Sequence, residues 1–188
     1  MNDRKRYLII MLLGAVMNFA LYSLASRFGW PVWLDMTGTA LAALLLEPAA
    51  GLTVGLVNNF CLAIMDNDAG SLLYYAVSAA VALIVGLYMR RDSRSLFRRI
   101  VTTLALAIVA ASVLSALLTL WRTSGVPDAA WEVHYYSAAM AWGWPKEAAC
   151  FFGIFIVKIY DVLASAAIVA AVCGLLPKKL KSPAARPQ

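Results

Sequence analysis

The chain has 188 residues, of which 63% are hydrophobic and only 14% are charged, and its mean hydropathy is +0.77. Soluble domains contain about 45–50% apolar and about 25% charged residues, so this composition excludes a soluble enzyme, a disordered tail and a nucleic-acid-binding domain. One membrane span takes about 20 apolar residues, which leaves room for at most about six or seven spans and no sizeable soluble domain. The net charge of +6 therefore indicates cytoplasmic loops rather than a nucleic-acid partner.

Six apolar segments are predicted to cross the membrane as helices of a single transmembrane domain, residues 1–188. We expect these spans at about 7–26, 34–46, 49–65, 71–89, 100–121 and 146–176. The short second and third segments are expected to form a helical hairpin that turns at Glu47-Pro48, because proline rarely continues a helix. Residues 122–144 are predicted to be a long polar and aromatic loop. Cleavage of the first segment near Ala25 is the less favoured alternative, since its apolar run is longer than a typical signal-peptide core.

Lysine and arginine residues are divided unequally between the two sides of this arrangement. Twelve lie on the side of the termini, three lie on the other side, and Lys158 lies within a span. The terminal side holds Arg4, Lys5, Arg6, Arg90, Arg91, Arg94, Arg98, Arg99, Lys178, Lys179, Lys181 and Arg186, and the other side holds Arg27, Arg122 and Lys146. Because cytoplasmic loops are rich in lysine and arginine, both termini are predicted to be cytoplasmic. The expected fold is an all-α polytopic membrane protein with six transmembrane helices.

The predicted outer loops concentrate aromatic and acidic residues. All six tryptophans lie on or beside them: Trp30, Trp33, Trp121, Trp131, Trp142 and Trp144. So do most of the acids: Asp35, Asp66, Asp68, Asp128, Glu132 and Glu147. An interfacial tryptophan belt normally includes both faces of the bilayer, so a belt and a ligand-binding surface explain this one-sided set equally well. A surface rich in tryptophan, tyrosine and carboxylates suits a polar, aromatic or cationic small molecule.

Several polar residues in or beside the spans are explained either by a structural role or by contact with a ligand. Lys158 and Asp161 share one helix face. A charge in a span costs about 2.5–3.5 kcal/mol, so each needs a partner or a function. The two residues either neutralise each other inside the bundle or contact a substrate and anchor its pocket. Asp35 either caps the second helix, which is the favoured explanation, or contacts a ligand. Asn58 and Asn59 are about 100° apart on the third helix, so only one is expected to face inward.

Features of other protein classes are weak in this sequence. Cys61, Cys150 and Cys173 form no CxxC pair and are interpreted as small buried hydrophobic residues. The single histidine, His134, excludes a multi-histidine metal site and is paired with Glu132 as the only candidate for acid–base catalysis. An exposed histidine near an acid is usually a surface residue, and no nucleotide-binding glycine motif is present. We therefore expect no enzymatic activity, no metal and no cofactor.

One segment has a family resemblance. Residues 33–59 read WLDMTGTALAALLLEPAAGLTVGLVNN. This segment resembles the second and third spans of the substrate-binding S components of energy-coupling factor (ECF) transporters. Those spans often contain Leu-Asp-(Thr or Ser)-(Ile or Thr)-Gly-Thr, an apolar run, Gly-Pro, and then Gly-xxx-Gly-Leu and Asn. The chain departs from the family at Glu47, where a glycine is usual, and its first span has no clean Ala-xxx-Ala docking motif.

The resemblance implies an S-component-like bundle in the cytoplasmic membrane of a bacterium or archaeon, which captures a vitamin-like micronutrient at the outer face. It implies as partners the lipid bilayer, an ECF coupling transmembrane subunit, docked at Gly14, Ala15 and Asn18, and a pair of ATPases. The predicted substrate-binding residues are Trp33, Asp35, Thr39, Asn58, Asn59, Tyr75, Trp121, Tyr136, Trp142, Trp144, Lys158 and Asp161. The alternatives are a membrane sensor or scaffold that signals through a partner protein, and a stand-alone carrier.

Overall fold

The computed structural model describes residues 3–90, 95–177 and 180, and this part of the chain is helical, without β-strands. Its α-helices are α1 (Asp3–Phe28), α2 (Thr37–Leu45), α3 (Pro48–Met65), α4 (Tyr75–Tyr88), α5 (Leu96–Thr123), α6 (Ala130–Ala141) and α7 (Lys146–Leu175). A 3-10 helix, Ala69–Tyr74, leads directly into α4. The all-helical class predicted from the sequence is confirmed for these residues.

In the described residues, five helical segments are long and apolar enough to cross a membrane: α1, α3, the 3-10 helix continued by α4, α5 and α7. The segment predicted as the second span contains only α2, whose nine residues extend about 13 Å. That length is less than half of the roughly 30 Å hydrocarbon core of a bilayer. The structure therefore supports a multi-pass membrane protein with five candidate spans and one short helix that is buried at Leu41, Ala42 and Ala43.

One face of α1 packs against the rest of the protein, and its other faces are exposed. Its buried residues recur every four positions at Arg6, Ile10, Gly14 and Asn18. The remaining faces expose large apolar side chains, such as Leu12, which is 67% exposed. Large exposed apolar surfaces are unusual on a soluble monomer, whereas lipid tails solvate them in a bilayer. This pattern agrees with a membrane environment for α1.

The crossing of α1 and α2 depends on two glycines. A Cβ atom on Gly14 would lie 2.8 Å from the backbone oxygen of Gly38. Asn18 fixes the same crossing, because its Oδ1 accepts a hydrogen bond from the Gly38 N–H at 2.5 Å and its Nδ2 donates to Thr39 Oγ1 at 3.0 Å. Gly14 and Asn18, which were expected to dock a partner, therefore lie inside the protein against α2, and Ala15 packs beside the neighbouring apolar core.

The predicted hairpin turn between α2 and α3 is confirmed. Helix α2 ends at Leu45, Glu47 has an extended backbone with φ −162°, and Pro48 begins α3. Proline is well placed there because the N–H that it lacks would have no partner in the first turn of a helix. Gly51 lets the two helices approach closely, since a Cβ atom on it would lie 2.7 Å from the Cβ of Ala43.

Helix α6 corrects the prediction of a long loop over residues 122–144. It packs on α7, where the missing side chain of Gly153 leaves room for the backbone oxygen of Glu132. Only Glu132 and Ala139 are buried on α6. A helix that packs against a single neighbour buries only a narrow face, so its hydrophobic periodicity is weak. For that reason the sequence pattern did not predict α6.

Candidate ligand-binding site

A cavity of about 430 Å³ lies at one end of the helical bundle. Its walls come from the C-terminal parts of α1, α3 and α5, the starts of α4 and α6, the 3-10 helix, the first half of α7 and the loops beside them, including the one between α1 and α2. Because α1 and α5 reach the cavity with their ends and α4 reaches it with its start, the opposite end of the bundle holds the start of α1 with Arg6, the residues just after α4 with Arg90, and the start of α5 with Arg98. The cavity therefore lies far from the most basic part of the described chain.

Among the residues predicted to bind substrate, the structure brings Trp33, Asp35, Asn59 and Lys158 to this cavity. Asn59 is held in place, because its Nδ2 donates to the backbone oxygen of Gly55 and to Ser78 Oγ. Other residues that were predicted to bind substrate lie behind this lining and hold it in place. The expectation that only one of Asn58 and Asn59 faces inward is wrong, since both are at most 2% exposed.

Asn58 is buried because the loop before α2 covers the side of α3 that Asn59 does not use. Its Nδ2 donates to the backbone oxygen of Asp35 at 3.1 Å. Thr39 is likewise buried behind the cavity, bonded to Asn18. Both predicted residues thus position the lining rather than form it.

The other predicted aromatic residues do not line the cavity. They are Tyr75, Trp121, Tyr136, Trp142 and Trp144. Trp121 is 73% exposed, and Trp142 and Trp144 pack with Phe152 in an aromatic cluster on the outside of the bundle. The positions of Trp121, Trp142 and Trp144 fit the interfacial belt, one of the two explanations that the sequence left open, whereas Tyr136 packs against Cys150 and Ile154. Helix rotation separates the two groups: the cavity is lined by Tyr74 rather than by its neighbour Tyr75.

Asp161 anchors the loop between α1 and α2 to α7. The side chain is fully buried, and its Oδ1 accepts hydrogen bonds from the backbone N–H of Trp33 at 3.0 Å and of Leu34 at 2.7 Å. Leu34 has φ +56°, a left-handed conformation that is unfavourable for a residue with a side chain. Asp161 Oδ2 lies 3.8 Å from Lys158 Nζ. Of the explanations for this pair, the geometry favours an anchor, with Lys158 alone reaching the cavity.

Trp33 forms a wall of the cavity whose orientation is fixed on several sides. Its ring stacks on Tyr22, with centroids 6.2 Å apart and an interplanar angle of 7°. Its Nε1 donates to Glu132 Oε1 at 3.2 Å, and Lys158 Nζ lies 6.0 Å from the ring centroid. A side chain held by stacking, a hydrogen bond and a cation–π contact needs little reordering when a ligand binds.

Asp35 does not cap α2, so the favoured prediction for it was wrong. The residue before α2 is Met36, which makes no side-chain cap, and Thr37 Oγ1 bonds back to the backbone oxygen of Leu34. The anchored loop instead directs Asp35 to the cavity, where its Oδ1 is buried without a hydrogen-bond partner. Burial raises the pKa of this loop carboxyl group to about 6, although Lys158 lowers it.

Another wall contains Arg122 and Asp68, which were not among the substrate-binding residues predicted from the sequence. Arg122 Nη2 donates to Asp68 Oδ2 at 2.6 Å, and its Cζ lies 5.6 Å from the ring centroid of Tyr74. The pKa of Asp68 is lowered mainly by the hydrogen bond from the Gly70 N–H and further by Arg122. The two partners are 54 positions apart, so no local pattern could have paired them.

Two further lining residues left a weak signal in the sequence. Ser115 and Thr119 are one helical turn apart on α5, are 3% and 5% exposed, and both line the cavity. Small hydroxyl residues repeated every four positions in a span indicate an inward face. Glu132 also lines the cavity at 6% exposure, and burial raises its pKa. From the sequence, Glu132 was expected only as one of the outer acids and as a partner of His134, and not as a substrate-binding residue.

A second cavity of about 220 Å³ lies between α2, α4, α5 and α7 and is almost wholly apolar. Met36 lines both cavities. Within the described ranges, no group of three His, Cys, Asp or Glu side chains is arranged to hold a metal ion. Comparison of the chain with known protein families, curated proteins and solved structures finds no match.

Proposed function

We propose that the protein is the substrate-binding membrane subunit of an ECF-type transporter, which captures a small vitamin-like molecule at the outer face of the membrane. The observation that carries this proposal is the cavity of about 430 Å³ with its fixed aromatic and polar walls. Small-molecule sites usually measure about 300–1,000 Å³ and combine aromatic walls with a few oriented polar groups. Trp33, Asp35, Asn59 and Lys158 fit that description.

The orientation of the cavity follows from the distribution of basic residues. In this proposal both termini are cytoplasmic, and the α2–α3 hairpin supplies the second and third of six membrane-embedded helices. Arg6, Arg90 and Arg98 at the end opposite the cavity support it, because basic residues are retained on the cytoplasmic side. The cavity then opens to the outside, where a solute for uptake is met first.

Energy for uptake comes, in this proposal, from a coupling subunit and an ATPase pair. The chain carries neither a P-loop nor a dinucleotide-binding glycine motif that would let it bind ATP itself. The α1 residues first expected at the docking surface lie against α2 or the core. The exposed apolar faces of α1, which include Leu8 and Leu12, are the available surface of that helix for a membrane partner.

The proposal is tested by mass spectrometry of small molecules released from the purified full-length chain. We expect one metabolite in a near-stoichiometric amount, and co-purification with ATPase subunits from the native membrane. Co-purification with a kinase, without ATPase subunits, would favour the sensor alternative instead. Absence of any metabolite together with no thermal stabilisation by metabolite mixtures would contradict the proposal.

Filling the cavity should abolish binding without unfolding the protein. Ser115→Leu places a larger apolar side chain at a position that borders empty space, so we expect at least a tenfold loss of affinity for the metabolite, or about 1.4 kcal/mol of binding free energy. The melting temperature of the ligand-free variant should stay near that of the wild type. Val113→Leu is the matched control, because Val113 is on the same helix and is 39% exposed. Equal metabolite content in both variants would remove α5 from the binding wall.

A further inference from the structure

The charges around the cavity do not balance. Its carboxyl groups outnumber its cations, with Asp35, Asp66, Asp68, Asp128 and Glu132 against Arg122 and Lys158. Each of the two cations already has a carboxylate partner, since Arg122 pairs with Asp68 at 2.6 Å and Lys158 with Asp161 at 3.8 Å. In the part of the chain that the structure describes, the other carboxyl groups of the lining make no ion pair.

Two buried oxygen atoms of the lining also have no hydrogen-bond partner. Asp35 Oδ1 is one, and Ser115 Oγ is the other. Ser115 is 97% buried on α5, so it is not satisfied by bulk solvent, and Asp35 approaches from the loop before α2. A buried acceptor without a partner costs roughly 1–3 kcal/mol, and more when it is charged. Ionised Asp35 Oδ1 can only accept, so it favours a ligand that brings a hydrogen-bond donor, and the Ser115 hydroxyl can accept a second donor from the same ligand.

From this arrangement we infer that the cavity binds a small organic cation, an amine or amidine whose N–H groups bond Asp35 Oδ1 and Ser115 Oγ. This inference rests on the proposed function and adds the chemical class of the substrate. The positive charge offsets the excess of carboxylates, and the aromatic walls of Trp33 and Tyr22 suit an organic body beside the charge. The described carboxyl groups are not arranged as a metal-ligand set, which favours an organic over a metal cation.

Binding of a cation is coupled to the proton on Asp35. The groups that act on Asp35 are Lys158 and Asp161 on α7 and Tyr22 on α1, and Glu132 of α6 interacts with the same Lys158. Burial raises the pKa of Asp35 to about 6, and a cation binds the ionised form. Affinity should therefore fall by about tenfold for each pH unit below 6, as one proton competes with the ligand.

The stability of the ligand-free protein should change with pH in the opposite direction. A carboxyl group whose pKa is raised by folding stabilises the folded state fully below its ordinary pKa, here 3.8, and loses that contribution as the pH rises through about 6. Asp35→Asn removes this component. The melting temperature of the wild type, relative to that of the variant, should therefore fall between pH 5 and pH 7. Cation binding should strengthen over the same interval.

The experiment uses the full-length chain in detergent and low-molecular-mass yeast extract. The extract is separated at pH 7 into fractions retained by a cation exchanger, retained by an anion exchanger, and retained by neither. Each fraction is tested for thermal stabilisation of the protein and for bound mass by native mass spectrometry. We expect the cation-exchange fraction alone to stabilise the wild type. Asp35→Asn should lose at least tenfold in affinity for the bound compound, and Glu147→Gln, an exposed acid on α7, should lose none.

Each outcome separates this inference from the proposed function. Stabilisation by the anionic or the neutral fraction only would overturn the organic-cation inference and leave a small-molecule transporter subunit in place. Stabilisation by none of the fractions, with no metabolite released from the purified chain, would overturn both. Binding of a cation with equal affinity at pH 5 and pH 7, or unchanged in Asp35→Asn, would overturn the role of Asp35. The wild-type measurements test the organic-cation inference even if the Asp35→Asn variant fails to fold.

Discussion

Asp161→Ala is expected to destabilise the protein by about 3–5 kcal/mol, the usual loss when one partner of a buried ion pair is removed. The side chain is fully buried, so the variant leaves the Lys158 ammonium group without its carboxylate. It also leaves the N–H groups of Trp33 and Leu34 without their acceptor. Because those bonds hold the loop before α2, Trp33 and Asp35 should lose their fixed positions, and metabolite binding should be lost with them.

Two companion variants separate charge from hydrogen bonding at this anchor. Asp161→Asn keeps an acceptor for both N–H groups and should lose less stability than the alanine variant. Lys158→Met combined with Asp161→Ala removes the unpaired ammonium group and should recover part of the loss. Glu147→Ala is the control, since Glu147 is exposed at the start of the same helix. A melting temperature for Asp161→Ala close to that of this control would show that the anchor contributes little.

Gly38→Ala is expected to have the second large effect, a loss of about 3 kcal/mol or failure to accumulate in the membrane. A Cβ atom at position 38 would overlap the backbone of Gly14, and it would lie 2.7 Å from the Gly14 Cα. Overpacking usually costs about 1–3 kcal/mol, and backbone atoms cannot move aside as a flexible side chain can. The shift of α2 should also break the hydrogen bond from Gly38 to Asn18.

Gly174→Ala is the matched control for this substitution. A Cβ atom at position 174 of α7 would have no heavy atom within 4 Å, apart from its own helix turn and its chain neighbours. Alanine should therefore be neutral or stabilise the helix by about 0.5–1 kcal/mol through its lower backbone entropy in the unfolded state. Yield and melting temperature in detergent measure both variants. Equal values for Gly38→Ala and Gly174→Ala would mean that α1 and α2 are not in close contact.

The architecture was partly readable from the sequence because hydrophobic length and proline placement are local signals. The long apolar runs predicted the long helices, and Glu47-Pro48 predicted the turn between α2 and α3. The number of spans was not readable in the same way. Residues 34–46 are apolar enough for a span, but only nine of them form a helix, since the loop before α2 is bent inward by its bonds to Asp161.

The candidate site was readable only in part, for a related reason. Charged or polar residues near the ends of apolar segments pointed to Asp35, Asn59 and Lys158, which do line the cavity. Trp121 was selected because the tryptophans concentrate on the predicted outer side, but the rotation of α5 exposes it and turns the next residue, Arg122, to the cavity. One position on a helix changes direction by about 100°, and composition carries no information about that angle.

The sequence by itself determined that this is a helical, net-basic chain with apolar segments long enough to cross a membrane, and that its acids and tryptophans concentrate in the predicted outer loops. Those properties depend on the kinds of residue in each segment and on their local order. The tertiary structure decided which carboxyl groups are paired and which are not. Asp161 accepts a hydrogen bond from the backbone N–H of Trp33, 128 positions away, and Asp68 forms an ion pair with Arg122. Asp35 Oδ1 is left buried at the cavity without a hydrogen-bond partner, because the loop that carries it is held against α7 by contacts that only the folded chain creates.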